Sequence, residues 1–259
     1  MGKIIINLPA CLTALNSTEM KHIPNFITSL NLASGFIAII LAVNGNLQAA
    51  SWLIVAAMIF DFSDGFAARL LNAYSETGKE LDSLADVVSF GVAPALIIYR
   101  LVNNSFSSLL PGTTALSSYL VKAFFFYSPV IMPVCAALRL AKFNTDSTQT
   151  VSFKGLPTPA NAIAVISLVI AAGHSSLPML HSFIQSPAAL ILYTVVLSVL
   201  MVTRIPLLSL KVKDLKFRGN EGRYILIGLI LISFVVFRFA MAPLIIPFYI
   251  IASMIERAF

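Results

Sequence analysis

Six of the eleven acidic residues of this chain (Asp61, Asp64, Glu76, Glu80, Asp82 and Asp86) fall within twenty-six positions. The flanks of that stretch are lipid-like, QAASWLIVAAMIF before it and VVSFGVAPALIIY after it. Carboxylates are hard to place in such surroundings. An aspartate at the centre of a membrane helix costs about 2.5–3.5 kcal/mol to insert, so four of them need compensation. Read as helix, Asp61, Asp64, Gly65 and Ala68 fall at i, i+3, i+4 and i+7, and Gly78, Asp82 and Asp86 at i, i+4 and i+8. Each set therefore occupies one helix face. Two helices joined by a turn at residues 73–77 would bring four carboxylates and two glycines together. Divalent cations are the obvious compensation, because hard oxygen ligands from two facing helices suit Mg²⁺, Mn²⁺ or Ca²⁺.

Composition decides what surrounds this stretch. Of 259 residues, 58% are hydrophobic and 11% charged, with a mean hydropathy of +0.91. No soluble domain needs that much apolar surface, so an all-α polytopic membrane protein is expected. The formal charge of +6 then marks a membrane side and anionic headgroups, not nucleic acid. Cys11 and Cys135 are too few and too far apart for a disulfide framework. Asn7 and Pro9 interrupt the first apolar run, so residues 1–24 read as an interfacial cytoplasmic lead-in and not as a signal peptide.

Six apolar spans follow, at about 27–43, 48–71, 78–101, 119–140, 156–172 and 187–205, and they make a six-helix unit over 25–206. The turn Asn44-Gly45-Asn46 reverses the chain after the first span, and Pro129 and Pro133 predict a kink in the fourth. His174 and His181 fall in an outer loop and read as solvated residues, not as metal ligands. Residues 207–259 hold a basic linker (Lys211, Lys213, Lys216, Arg218, Arg223) and two shorter apolar runs, 224–237 and 241–255, read as two further membrane helices. With the 72–78 turn on the cytoplasmic side, fourteen of the seventeen Lys and Arg lie at cytoplasmic ends; Arg100, Lys122 and Arg238 do not. The aspartates then sit near the cytoplasmic face.

Written as a pattern, the acidic stretch is D-x2-D-G-x2-A-R-x8-G-x3-D-x3-D. It resembles, at all eight fixed positions, the signature of the CDP-alcohol phosphotransferases. These membrane enzymes move a phosphoryl-linked group from a CDP-activated donor to an alcohol. The absence of His or Cys near the aspartates agrees, since a two-metal phosphoryl centre uses carboxylates where zinc would not. The resemblance implies that Asp61, Asp64, Asp82 and Asp86 hold two divalent ions, Mg²⁺ or Mn²⁺. It implies that Asp86 is also the general base on the acceptor hydroxyl. It further implies that Asp61, Asp64, Gly65, Ala68, Arg69 and Gly78 hold the CDP moiety, the small residues allowing a flat nucleotide close to the backbone. Arg69 can also be read as an interfacial cation near lipid phosphate. The polar edge of the first span, Asn25, Thr28 and Asn31, suits nucleotide contact (Asn25 and Thr28) and helix–helix hydrogen bonding equally.

PNFITSLNLASG (24–35), ELDSLAD, FGVAP, RLAKFN and FKGLPTPAN (153–161) are similar to one subgroup of that family, the integral-membrane phosphatidylserine synthases of bacteria. The likeness covers about residues 22–206. It implies CDP-diacylglycerol as donor, L-serine as acceptor, and a homodimer in the bacterial inner membrane, among membrane lipids, with its site toward the cytoplasm. Arg139, Lys142 and Asn144 become the candidate serine-binding residues, because an amino-acid acceptor needs a cation for its carboxylate and Arg binds one in bidentate fashion. Lys142 stands where the subgroup leads one to expect Arg. Positive-inside anchoring explains Arg139 and Lys142 as well. Other readings are a relative that uses glycerol 3-phosphate or an inositol compound, and, from a different class, a cation transporter. The crowding of carboxylates on one face near one membrane surface argues against the transporter.

Overall fold

The computed structural model describes residues 22–109, 123–145, 153–203, 205–207 and 221–256. Most of the expected lead-in (1–21), the loop 110–122, the centre of the 141–154 loop and the basic stretch 208–220 lie outside the described residues. The protein is an all-α polytopic membrane protein. Apart from helix, the described residues contain one two-residue antiparallel pairing, Phe153–Lys154 (β1) with Pro206–Leu207 (β2). Four helical stretches are long and apolar enough to cross a membrane: His22–Val43, Glu76–Phe106, Ala123–Thr145 and Tyr224–Met254. A bent pair, Pro178–Gln185 with Pro187–Val202, makes a fifth candidate.

Helix α1 (His22–Val43) buries Pro24, Thr28, Asn31, Ser34, Gly35, Ala38 and Ala42, a stripe of small and polar residues at helical spacing. Its other face exposes Phe26, Phe36, Ile37 and Ile40. Between apolar helices in lipid, small residues let backbones approach and polar ones bond across the contact, while large apolar side chains face the tails. Helix α2 (Leu47–Leu70) follows the same rule, burying Ala50, Ser51, Ile54, Ala57 and Asp64 while Trp52, Ile59, Phe62 and Phe66 stay exposed. The reversal between α1 and α2 needs Gly45, whose φ is 85°, and Asn46 caps α2 by accepting from the Ala49 N–H at 3.2 Å.

After α2, Asn72 adopts φ 50° and Ser75 caps α3 (Glu76–Asp86), accepting from the Gly78 N–H at 3.0 Å. Helix α3 runs through a π-helical segment, Val87–Val92, into α4 (Ala93–Leu109). Two residues from different helices bear on it. Pro94 has no N–H to give the Phe90 carbonyl four residues back, and Asn161 donates to that carbonyl instead, at 3.1 Å. The third span is therefore longer than its apolar core, reaching from Glu76 to Phe106. The 3-10 turn Ser128–Val130 precedes α5 (Ile131–Thr145), so the helix is irregular at Pro129, while Pro133 lies inside α5 and residues 123–145 form one membrane-length stretch.

Helix α6 (Thr158–His174) is the hub. It is buried almost all round, from Asn161 to Ala171, as an all-apolar helix inside a bundle should be. The outer loop expected around 173–186 holds a helix, α7 (Pro178–Gln185), set at 85° to α8 (Pro187–Val202). Pro187 ends one helix and starts the next, since proline cannot continue a helix but suits its first turn. His174 and His181 bond to the main-chain oxygens of Ile170 and Ser175. The two C-terminal runs are α9 (Glu221–Phe237) and α10 (Ile245–Glu256), joined by the 3-10 stretch Arg238–Leu244. The joint packs on α6 through buried Met241, and Tyr249 and Ala252 of α10 belong to the main core.

Candidate active site

The carboxylates meet at one end of the bundle, where α2 ends and α3 begins. Asp61, Asp64 and Asp82 each offer an oxygen within 4.8 Å of the others. Two of those side chains carry buried oxygens without a hydrogen-bond partner, Oδ2 of Asp64 and Oδ1 of Asp82. Among the described residues no Lys or Arg forms an ion pair with them. Buried acceptors left unpaired and uncompensated are costly. A hard divalent cation is the partner this donor set fits, since it binds oxygens at close range and cancels their repulsion.

Asp86 lies one helical turn beyond Asp82 and is itself buried. It adjoins Asp61 on one side. On the other, Asn31 of α1 points its Nδ2 at Asp86 Oδ1, 3.5 Å away. Four predicted carboxylates are thus brought together, three in a tight group and the fourth at its edge.

The residues expected at the nucleotide separate into two kinds. The space over Gly65 is open, with nothing within 4 Å of where a Cβ would stand; Ala68 lies half-buried one turn on. Gly78 differs. A Cβ there would come within 2.7 Å of Asn25 Oδ1 and 2.9 Å of Ser75 Oγ, so its lack of a side chain is already used to admit Asn25. The Thr28 hydroxyl donates to the Pro24 carbonyl at 3.0 Å and lies against Asp64. Arg69 is exposed and folds back on its own helix, Nε donating to the Gly65 carbonyl at 2.9 Å.

The residues expected at the serine are spread out. Arg139 sits in electrostatic reach of Asp86 and of Tyr249 from α10. Its Nη1 donates to Thr158 Oγ1 at 3.4 Å, and its buried Nε has no partner. Asn144 is engaged elsewhere: Nδ2 donates to Ser83 Oγ at 2.9 Å, and its main-chain oxygen receives Lys79 Nζ at 3.3 Å. That contact latches the ends of α3 and α5. Lys142 is exposed. Thr158 and Tyr249 had no part in the expected site. The GLPTPAN motif pointed to the first; nothing in the sequence pointed to the second, which lies outside the stretch that carried the resemblance.

Comparison with known proteins points to one family. A family profile described as CDP-alcohol phosphatidyltransferase matches residues 21–201. The chain is 36% identical over 188 residues to a CDP-diacylglycerol–serine O-phosphatidyltransferase of Bacillus subtilis, covering 72% of this chain and 89% of that protein. It is 34% identical over 219 residues to the protein of the same name from Helicobacter pylori, covering 83% and 81%. An archaetidylserine synthase of Methanothermobacter thermautotrophicus is 34% identical over 163 residues, covering 62% and 63%. With the signature residues gathered at one end of a helical bundle and the profile spanning most of the chain, the protein belongs to the CDP-alcohol phosphatidyltransferase family.

Proposed function

We propose that the protein transfers the phosphatidyl group of CDP-diacylglycerol to L-serine, giving phosphatidylserine and CMP. The observation that supports this reading is that Asp86 adjoins the carboxylate group at Asp61 and lies in electrostatic reach of the Arg139 guanidinium. An acceptor whose hydroxyl reaches Asp86 would have its carboxylate within reach of Arg139, as an amino acid requires and as a neutral polyol does not. The relatives described above all bear names that specify serine or its lipid.

In this reading Asp61, Asp64 and Asp82, with Asp86 at the edge, would hold two divalent ions, Mg²⁺ or Mn²⁺. Such ions supply charge neutralisation for the diphosphate and for the phosphate that leaves. The open backbone at Gly65 and the half-buried Ala68 leave room for the cytidine, with Asn25, Thr28 and Gly78 shaping the wall and Arg69 at the entrance. Asp86 takes the proton from the serine hydroxyl. The serine oxygen forms its bond to the phosphatidyl phosphorus as the bond from that phosphorus to CMP breaks. Arg139 holds the serine carboxylate, and Lys142 adds positive charge at the approach. Asn144 acts through the α3–α5 latch. The charge distribution supports a site toward the cytoplasm, and the family likeness supports a bacterial inner-membrane location and a homodimer.

An acceptor panel tests the proposal. Membranes holding the protein are given CDP-diacylglycerol, Mg²⁺ or Mn²⁺, and serine, glycerol 3-phosphate or inositol in turn. Release of CMP with serine alone is the expected result; release with either other acceptor and not with serine would overturn it.

A further inference from the structure

We infer that Asn31 is a positioning residue for Asp86, and that α1 is built to hold its carboxamide in place. This rests on the proposed role of Asp86 as the base. Asn31 is fully buried, and its side chain reaches across from α1 to Asp86 Oδ1. An ionised carboxylate only accepts hydrogen bonds, so the carboxamide must present its NH2 to Asp86 and turn Oδ1 away. Its Oδ1 has no partner, so the contact with Asp86 is what defines the side chain's orientation.

Two further features seat the helix that carries it. The Ser89 hydroxyl, from the π-helical segment just after Asp86, donates to the Asn31 main-chain oxygen at 3.1 Å. Gly35, one turn along α1, lets that segment close in: a Cβ at Gly35 would stand 2.8 Å from Ser89 Cα. Asn31 and Asp86 are therefore clamped to each other through two adjacent contacts between α1 and the π-helical segment. One oxygen of Asp86 is turned to Asn31, and the carboxylate adjoins Asp61 on its other side, where the ions and the acceptor hydroxyl are proposed to lie. Asn25 and Thr28 lie toward the nucleotide end of the same stripe, at Gly78 and Asp64. Asn25, Thr28 and Asn31 thus divide two tasks between them.

The test uses the full-length protein in detergent or native membranes. Asn31→Leu keeps the size of the side chain, removes the donor, and suits a buried apolar setting. We expect kcat to fall about ten- to a hundredfold, the usual scale for losing a group that orients a functional one. The serine KM and the calorimetric affinity for CDP with Mn²⁺ should stay within about threefold. Combined with Asp86→Asn, Asn31→Leu should add almost nothing, because the group it orients is gone. Asn31→Ser, which retains a shorter donor, should lose less, and it gives the same reading where the leucine variant fails to accumulate. An unchanged kcat in Asn31→Leu would overturn the inference. So would a parallel loss of CDP affinity, or a full additional loss in the double variant. Wild-type turnover by Asp86→Asn alone would instead sink the base assignment, and the inference with it.

Discussion

The carboxylate side of the site and the cation side are built on opposite plans. Asp61, Asp64 and Asp82 come from two helices consecutive in sequence, and their oxygens crowd within 4.8 Å with two of them unpaired. Arg139, by contrast, comes from α5, donates to Thr158 of the next helix, α6, and lies in electrostatic reach of Tyr249 from the distant α10. The first side leaves two buried oxygens, Asp64 Oδ2 and Asp82 Oδ1, without a partner from the described residues. The second is partly satisfied by the protein itself, since Arg139 already donates to Thr158 and Asn144 to Ser83. The carboxylate side should therefore respond to substitution as a unit, and the cation side in graded fashion.

The largest expected effect breaks the unit. Asp82→Asn removes charge from the tight group, so metal-dependent CDP binding and turnover should vanish together, measured by calorimetry with Mn²⁺ and by CMP release. CDP binding that persists at wild-type affinity would show that the group is not the metal centre. Next comes Asp86→Asn at the edge of the group. Turnover should fall by about two to four orders of magnitude, the range for loss of a general base, while CDP still binds in the presence of Mg²⁺ or Mn²⁺. If CDP binding disappears as well, Asp86 is chiefly a ligand and no different from its neighbours.

On the cation side the effects are smaller. Arg139→Lys keeps the charge but loses the planar fork. A lost charge-assisted hydrogen bond of about 1.5–3 kcal/mol should raise the serine KM about ten- to a hundredfold, with CDP-diacylglycerol affinity nearly intact. Unchanged serine kinetics would reduce Arg139 to a helix-end anchor. The smallest effect belongs to Lys142→Ala. The side chain is exposed, and an exposed charge contributes little through screened solvent, so the serine KM should rise less than about fivefold. A larger rise would mean that Lys142 turns inward when serine binds.

How much of this was legible depended on how locally each feature is encoded. The reversal at Asn44–Asn46, the 3-10 turn at Pro129 and the polar edge of α1 at Asn25, Thr28 and Asn31 follow from the residues in place, because turn chemistry and helical spacing are short-range properties. The length of the third span was not legible. Its π-helical segment depends on Pro94 in one helix and on Asn161, which answers for the missing N–H, in another. Helix α7 was hidden for a different reason: eight residues between Pro178 and Pro187 are too few for periodicity to speak. Gly78 taught a separate lesson. Its smallness was evident, but it admits the protein's own Asn25, and no spacing rule distinguishes a space kept for a ligand from one filled by a neighbouring side chain.

By itself the sequence determined that this chain lives in a membrane, that its carboxylates form one face on each of two successive helices, and that its signature is that of one enzyme family. Hydropathy and helical periodicity are sums over neighbouring residues, so no fold was needed to read them. Only the tertiary structure decided that Asp86 stands at the edge of the group, between Asp61 and Asn31, and that Arg139 shares its surroundings with a tyrosine from the C-terminal helix. Those pairings join residues 55 and 110 positions apart, and the packing of α1 on the π-helical segment and of α10 on the hub helix sets them. A chain read one residue at a time holds no record of which distant faces will be pressed together.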